Sequence, residues 1–217
     1  MPDRWWALSW DRKDLFTGFE RLAGRFVGCA RVTKRPIFFF LTTSIWPSDK
    51  VQAFLFDDAY SFGILQSWAH WQWFLEKCSK LKSDFSYSIE SVFDTFPWPQ
   101  CPEAKAVSAV AAEGREVRRI RAEALPKLKG GLRALYRTLE LPGANPLKDA
   151  HAALGAAVLA AYGFTAKADL LAQLLALNQQ VAAKLERAEP VTAPGIPAGF
   201  PKPETLLTED CIRPETA

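Results

Sequence analysis

Short apolar runs separated by charged residues and turn formers are typical of β-strands, and they fill much of the first 60 residues. Segments 25–33 and 37–42 predict two strands, with a Lys-Arg-Pro sequence breaking the pattern between them. These strands are expected to form an antiparallel hairpin with a basic edge made of Arg25, Arg31, Lys34 and Arg35. A helix over about 12–23 is predicted before them, and a further strand over 51–56.

One long helix is predicted after these strands. Apolar residues recur every three or four positions from residue 62 to residue 78, which places one apolar stripe against the core. Asp57 and Asp58 stand at the start of this helix and are expected to cap its free amide groups rather than to bind a metal. His70 has no acidic or cysteine partner within one turn, so the sequence predicts a structural role for it.

Strict alternation of apolar and polar residues follows the helix. Phe85, Tyr87 and Ile89 share one parity, whereas the polar positions share the other: Lys82, Asp84, Ser86 and Ser88. Successive side chains of an extended segment point to opposite faces. The sequence therefore predicts a strand that buries its aromatic side chains and presents a polar face outward.

That polar face has two interpretations. A lysine can donate to guanine O6 and N7 and an aspartate can accept from cytosine N4, so Lys82 and Asp84 together can read both halves of a G·C base pair. The same two residues can equally form a surface ion pair worth about 0–1 kcal/mol. The basic hairpin edge is also open to two interpretations, because it either resists aggregation as a solvated edge or contacts DNA phosphates.

Helical patterns dominate the chain after three prolines near residue 100. Helices are predicted over about 103–125, 132–139, 149–162 and 169–186, and arginines on the first of them either face solvent or contact phosphates. The predicted fold class is α+β, with a mixed, mainly antiparallel sheet and packed helices followed by an all-α part. The predicted divisions are a domain at 1–100, a helical domain at 101–188 and a proline-rich, extended and partly disordered tail at 189–217.

Composition and the absence of known motifs reduce the classes of function that the chain can have. A net charge of +3 gives no overall electrostatic argument for nucleic acid, so any such surface must be local. Four cysteines lack zinc-site spacing, and no apolar run is long enough to span a bilayer, which predicts a cytoplasmic protein without membrane contact. Cofactor loops of the G-x-G-x-x-G and P-loop types, H-E-x-x-H, G-x-S-x-G and any Pro-Pro dipeptide are absent from the sequence. The sequence thus argues against self-contained catalysis.

Four blocks of the chain resemble the C-terminal third of MmeI-like DNA methyltransferases, the large single-chain Type IIL/IIG restriction–modification enzymes. These blocks are FGILQSWAHWQW, LKSDFSYSIESVFDTFPWP, LYRTLELPGANPLKDAHAALGAAVLAAYGF and LLAQLLALN. The resemblance implies a target-recognition domain over about 1–100, followed by a C-terminal helical domain. It also implies a family activity, methylation of adenine N6 with S-adenosylmethionine, whose catalytic domain lies N-terminal to everything in this sequence.

The resemblance assigns roles to individual residues. Lys82 and Asp84 match a family site where paired side chains help to choose a base pair, which favours base reading on the face that also carries Ser86 and Ser88. Arg31 and Lys34 lie in a segment similar to the family's R-V-[ST]-K-[HR] sequence, so they and Arg35 are expected to contact phosphates.

Because catalytic motifs are missing from the sequence, the chain is expected to act together with partners. The chain is expected to be a truncated or split family member that binds double-stranded DNA and complements a separately encoded methyltransferase chain. It would hold no cofactor itself, and S-adenosylmethionine would bind the other part. Alternatives are a protein-interaction module that docks through exposed tryptophans, an inactive gene remnant, or an enzyme active by itself.

Overall fold

A three-stranded antiparallel sheet lies near the start of the computed structural model, which describes residues 13–81 and 84–213. The strands are β1 (Arg25–Ala30), β2 (Phe39–Thr42) and β3 (Val51–Phe54), with β1 in the centre, and a short helix, α1 (Lys13–Phe19), precedes them. The pairing of β1 with β2 is the predicted hairpin, in a register that sets Val27 opposite Phe40.

Both faces of the central strand are covered. Phe26 packs with Phe19 and Leu41 on the side of α1, whereas Val27 and Cys29 belong to the larger core on the other side. Because successive strand residues point to opposite faces, β1 is buried almost throughout.

The predicted long helix is two helices, α2 (Ala59–Gln66) and α3 (Trp68–Lys77). Asp58 caps its start as predicted, since its side chain accepts from the Ser61 N–H. The Asp57 carboxylate instead accepts from the Ala23 N–H. The prediction of a continuous helix was wrong at Ser67, which adopts an extended backbone. The Ser67 hydroxyl donates to the Ile64 carbonyl and accepts from the His70 N–H, so a single side chain ends one helix and caps the next.

A second, two-stranded sheet follows α3. Strands β4 (Ser79–Leu81) and β5 (Asp84–Ser86) pair antiparallel, with Leu81 opposite Asp84. A π-helical turn at Ile89–Phe93 then leads to Phe96 and Trp98, which are both buried.

The C-terminal part is helical, as predicted. Its helices are α4 (Ala104–Ala124), α5 (Gly131–Arg137), α6 (Pro146–Tyr162) and α7 (Leu170–Glu186). Helix α6 begins three residues before the predicted start, because the Asn145 side chain accepts from the first free amide groups at Leu147 and Lys148. The α+β fold class is confirmed.

Helices α2 and α4 cross closely. A Cβ on Gly114 would lie 2.9 Å from the Ala59 carbonyl oxygen, and a Cβ on Gly63 would lie 2.8 Å from Val110. Glycine at both positions therefore allows the two backbones to meet. One large buried cluster includes Phe62 and Trp73 on one side of residue 100 and Val110 and Leu154 on the other. The core is therefore continuous across residue 100. The predicted division of the chain into domains at that point stays a prediction.

The proline-rich tail lies along the rest of the protein and contains a short 3-10 helix at Pro203–Leu206. Its Thr192 N–H donates to the Gln100 side chain, Leu206 is buried, and Ile212 pairs with the sheet through the Phe40 carbonyl. The expectation of partial disorder was wrong for residues 189–213, because the core offers this segment an apolar site and hydrogen-bond partners. Residues 214–217 lie outside the described part.

No helix within the described part of the chain is long and apolar enough to cross a membrane.

Candidate nucleic-acid interface

The structure joins the basic hairpin edge to the predicted base-reading strand. The Thr33 N–H donates to the Phe85 carbonyl at 3.0 Å, and the Tyr87 N–H donates to the Arg31 carbonyl at 2.8 Å. Val32 and Ser86 form the antiparallel bridge between these hydrogen bonds. The residues predicted to contact phosphates and those predicted to read bases thus lie on neighbouring, hydrogen-bonded segments. We call this surface the polar edge, made of residues 31–35 and 84–88.

The basic residues of the hairpin differ in exposure. Arg31 and Lys34 are exposed, as phosphate contacts require, whereas Arg25 is 2 % exposed and lies over the Phe40 ring. The inclusion of Arg25 in the basic edge was therefore wrong. Its guanidinium group donates to the Asp57 carbonyl and to Asp210, so it holds the tail against the sheet.

Arg35 occupies a half-buried position. Its guanidinium carbon lies 4.3 Å from the centroid of the Trp71 ring and 5.2 Å from that of Tyr136. Burial lowers the pKa of Arg35, and Glu140 opposes that effect. The group is held by aromatic faces. Its contact with a phosphate stays a prediction.

The structure describes the four predicted base-reading residues to different extents. Lys82 lies outside the described residues, and Asp84 is placed by its backbone in β5. Ser86 is half-buried in the same strand. The Ser88 hydroxyl donates to the Glu90 carboxylate at 2.6 Å, which lowers the pKa of Glu90, and it caps the following turn by accepting from the Ser91 N–H. Base reading by these four residues stays a prediction.

Tyr87 connects the polar edge to the core, a role that sequence reasoning missed. Its hydroxyl lies 2.9 Å from His70 Nε2, and its carbonyl accepts from Gln52 Nε2 at 2.9 Å. Parity indicated that Tyr87 is buried, but the partners of its polar atoms come from segments 17 and 35 residues away.

His70 has no surface from which to act on a substrate. The side chain is fully buried, and burial lowers its pKa to about 3. The imidazole therefore stays neutral at physiological pH, in agreement with the structural role predicted for it.

Most arginines of α4 serve the fold. Arg121 is buried and donates to the Phe38 carbonyl and to the Tyr136 hydroxyl. Arg118 pairs with Asp210 at 3.1 Å, and Arg119 pairs with acidic residues of its own helix. Arg118 and Arg121 thus fit neither predicted interpretation of this surface, a solvated face or a phosphate contact, because both form contacts within the protein.

Metal chemistry has no candidate site among residues 13–81 and 84–213, where no three or more histidine, cysteine or acidic side chains converge. Cys29, Cys101 and Cys211 are free thiols.

Comparison with protein families assigns part of the chain, including residues 84–88 of the polar edge, to a defined class of domain. Residues 35–100 match the family model described as the MmeI target recognition domain. The chain therefore contains a target recognition domain of the MmeI type.

A solved structure gives the particular likeness. It is described as the Type IIL restriction-modification enzyme MmeI in complex with DNA, and it matches with a TM-score of 0.65 over 74 % of this chain at 23 % sequence identity. That likeness shows the fold. The chain spans 22 % of the length of the matched protein. A comparison with curated proteins finds no match.

Proposed function

We propose that this chain is the DNA sequence-recognition portion of a site-specific adenine-N6 methyltransferase of the Type II restriction–modification kind. The observation that carries the proposal is the match of residues 35–100 to a target recognition domain, since Arg35 and residues 84–88 of the polar edge lie within it. The exposed Arg31 and Lys34 beside β5 support it, because a DNA-reading strand needs neighbouring cations to fix its register on the backbone.

Different residues of the polar edge would have different roles. Lys82 and Asp84 would read one base pair in the major groove, and Ser86 at the end of β5 and Ser88 just after it would contribute hydrogen bonds to base edges. Arg31, Lys34 and Arg35 would contact phosphates, which contributes affinity and salt dependence without sequence information. The helices after residue 100 would brace this surface through the shared core.

Chemistry on the selected base would come from a second polypeptide region. This chain lacks the sequence motifs of a methyltransferase active site and spans about a fifth of the matched protein. S-adenosylmethionine and the catalytic groups would therefore belong to a separately encoded catalytic chain or to another part of the same system. This chain would determine where on the DNA methylation occurs.

The double variant Lys82→Ala/Asp84→Ala tests the proposed base readers. A well-placed pair of base contacts discriminates by about 1–3 kcal/mol, so preference at one base pair is expected to fall roughly five- to hundredfold. Binding selection on randomised duplex DNA, followed by sequencing, measures this change. Nonspecific affinity and its dependence on salt should stay close to those of the original chain.

The double variant Arg31→Ala/Lys34→Ala is the matched control. It is expected to weaken binding to all sequences alike and to reduce the salt slope of log K by roughly 2, since two phosphate contacts are lost. An unchanged base preference in Lys82→Ala/Asp84→Ala would contradict the assigned base readers. No binding at low salt in a gel-shift titration would instead favour a protein-interaction module.

A further inference from the structure

Tyr87 is held at every polar atom it has. Its N–H donates to the Arg31 carbonyl at 2.8 Å, its carbonyl accepts from Gln52 Nε2 at 2.9 Å, and its hydroxyl lies 2.9 Å from His70 Nε2. The side chain has no exposed surface. These contacts come from Arg31, from β3 and from α3, so one residue joins the two segments of the polar edge to each other and to β3 and α3.

The ring of Tyr87 is fixed as firmly as its polar atoms. It stacks on Phe74 with centroids 5.7 Å apart and meets Phe54 edge-on at 5.6 Å. His70, which holds the hydroxyl, is itself enclosed by the rings of Phe38 and Phe96. Interiors packed in this way allow little displacement, so the position of Tyr87 follows that of the core.

Tyr87 stands between two of the proposed base-reading positions, Ser86 and Ser88. Each of these neighbours is joined to Tyr87 by one planar peptide unit, so a shift of Tyr87 displaces Ser86 and Ser88 with it. Base readout depends on hydrogen bonds about 2.7–3.2 Å long, which weaken steeply when donors and acceptors are displaced. Contacts between flexible cationic side chains and phosphates tolerate such a shift far better.

We propose that Gln52, His70 and Tyr87 are positioning residues for sequence discrimination. None of them contacts a base. Together they fix the depth and register at which the strand carrying the base readers meets DNA. The inference rests on the proposed function, and it adds three residues that discriminate between sequences indirectly.

The variant Tyr87→Phe removes the hydroxyl that bonds His70 and keeps the ring. The ratio of affinities for preferred and non-preferred duplexes is expected to fall roughly five- to tenfold, because the base contacts lose alignment. Affinity for non-preferred DNA, corrected to the folded fraction measured by circular dichroism, should stay within about twofold. A purely structural role would change the folded fraction and leave that ratio unchanged.

Tyr162→Phe is the matched control. Its phenolic hydroxyl also makes one hydrogen bond, donated to the Pro97 carbonyl at 2.8 Å, but it lies in the helical part away from the polar edge. Each variant loses one hydrogen bond, which is buried for Tyr87 and partly buried for Tyr162, so Tyr162→Phe should lose no more stability than Tyr87→Phe. The affinity ratio should fall in Tyr87→Phe alone.

Gln52→Leu keeps the test decisive if Tyr87→Phe does not fold. It removes the side-chain donor to the Tyr87 carbonyl from a half-buried strand position and is expected to lower the affinity ratio about threefold. Equal ratios in the original chain, Tyr87→Phe, Gln52→Leu and Tyr162→Phe would overturn the inference while the proposed function stands. Absence of any sequence preference in the original chain would overturn both.

Discussion

Removal of residues 204–217 is expected to lower the free energy of unfolding by about 4 kcal/mol, because Leu206 is part of the core and Asp210 bonds the buried Arg25. Leu206 is 2 % exposed, and burial of a leucine side chain contributes about 1.5–3 kcal/mol. Asp210 accepts from the buried Arg25 through its carboxylate and its backbone carbonyl. Hydrogen bonds to a charged group contribute about 1.5–3 kcal/mol more.

Urea unfolding followed by tryptophan fluorescence measures the loss. A chain that ends at Arg213 is the control, since it keeps every contact described for the tail. Leu206→Ala in the full chain gives an independent value of about 2–4 kcal/mol if the shortened chain does not accumulate. An unchanged midpoint in both Leu206→Ala and the shortened chain would show that the tail contributes nothing to stability.

Acid is expected to destabilise the protein by about 4 kcal/mol between pH 7 and pH 5. The chain has two histidines, and burial lowers the pKa of each, His70 and His151, to about 3. The cations of Arg121 and Arg35 lower that of His151 further. In the unfolded chain both imidazoles take up a proton near pH 6.5, whereas in the folded protein they do not. Stability is therefore present above pH 6.5 and is lost as the pH falls towards 3, at about 2 kcal/mol per histidine by pH 5.

Unfolding free energies at pH 7, 6 and 5 test this slope. His151→Gln should remove about half of it, since His70 then titrates alone. The raised pKa of the buried Asp58 acts in the opposite direction, because the folded protein holds that proton more tightly than the unfolded chain. A stability that is constant from pH 7 to pH 5 would show that the imidazoles do not stay neutral in the folded state.

Local patterns were sufficient to predict much of the fold. The hairpin of β1 and β2 followed from two apolar runs around a Lys-Arg-Pro break, and α4 lies within one residue of its predicted bounds. The alternation of apolar and polar residues alone predicted that Tyr87 is buried, which the structure confirms. These features depend on neighbours in the sequence, so the sequence contains their signal.

The features that the sequence did not predict depend on contacts between distant segments. Ser67 interrupts a helix whose apolar spacing continues unbroken, and the tail gains its order from sites supplied by Arg25 and Gln100. The burial of Arg25 could have been predicted from the sequence, because Arg25 lies on the same face of the strand as the buried Val27 and Cys29. For the polar edge, parity grouped the candidate side chains, but their link to the basic hairpin needed the three-dimensional structure.

The close crossing of α2 and α4 limits where this chain can be cut for a domain exchange. A transplant ending at residue 100 would carry Gly63 into a host whose facing helix has its own residue where Gly114 stands, and any side chain there would meet the Ala59 carbonyl. It would also leave behind the tail that bonds Arg25. A segment that keeps all of these contacts therefore extends from α1 to Arg213, well beyond the matched residues 35–100.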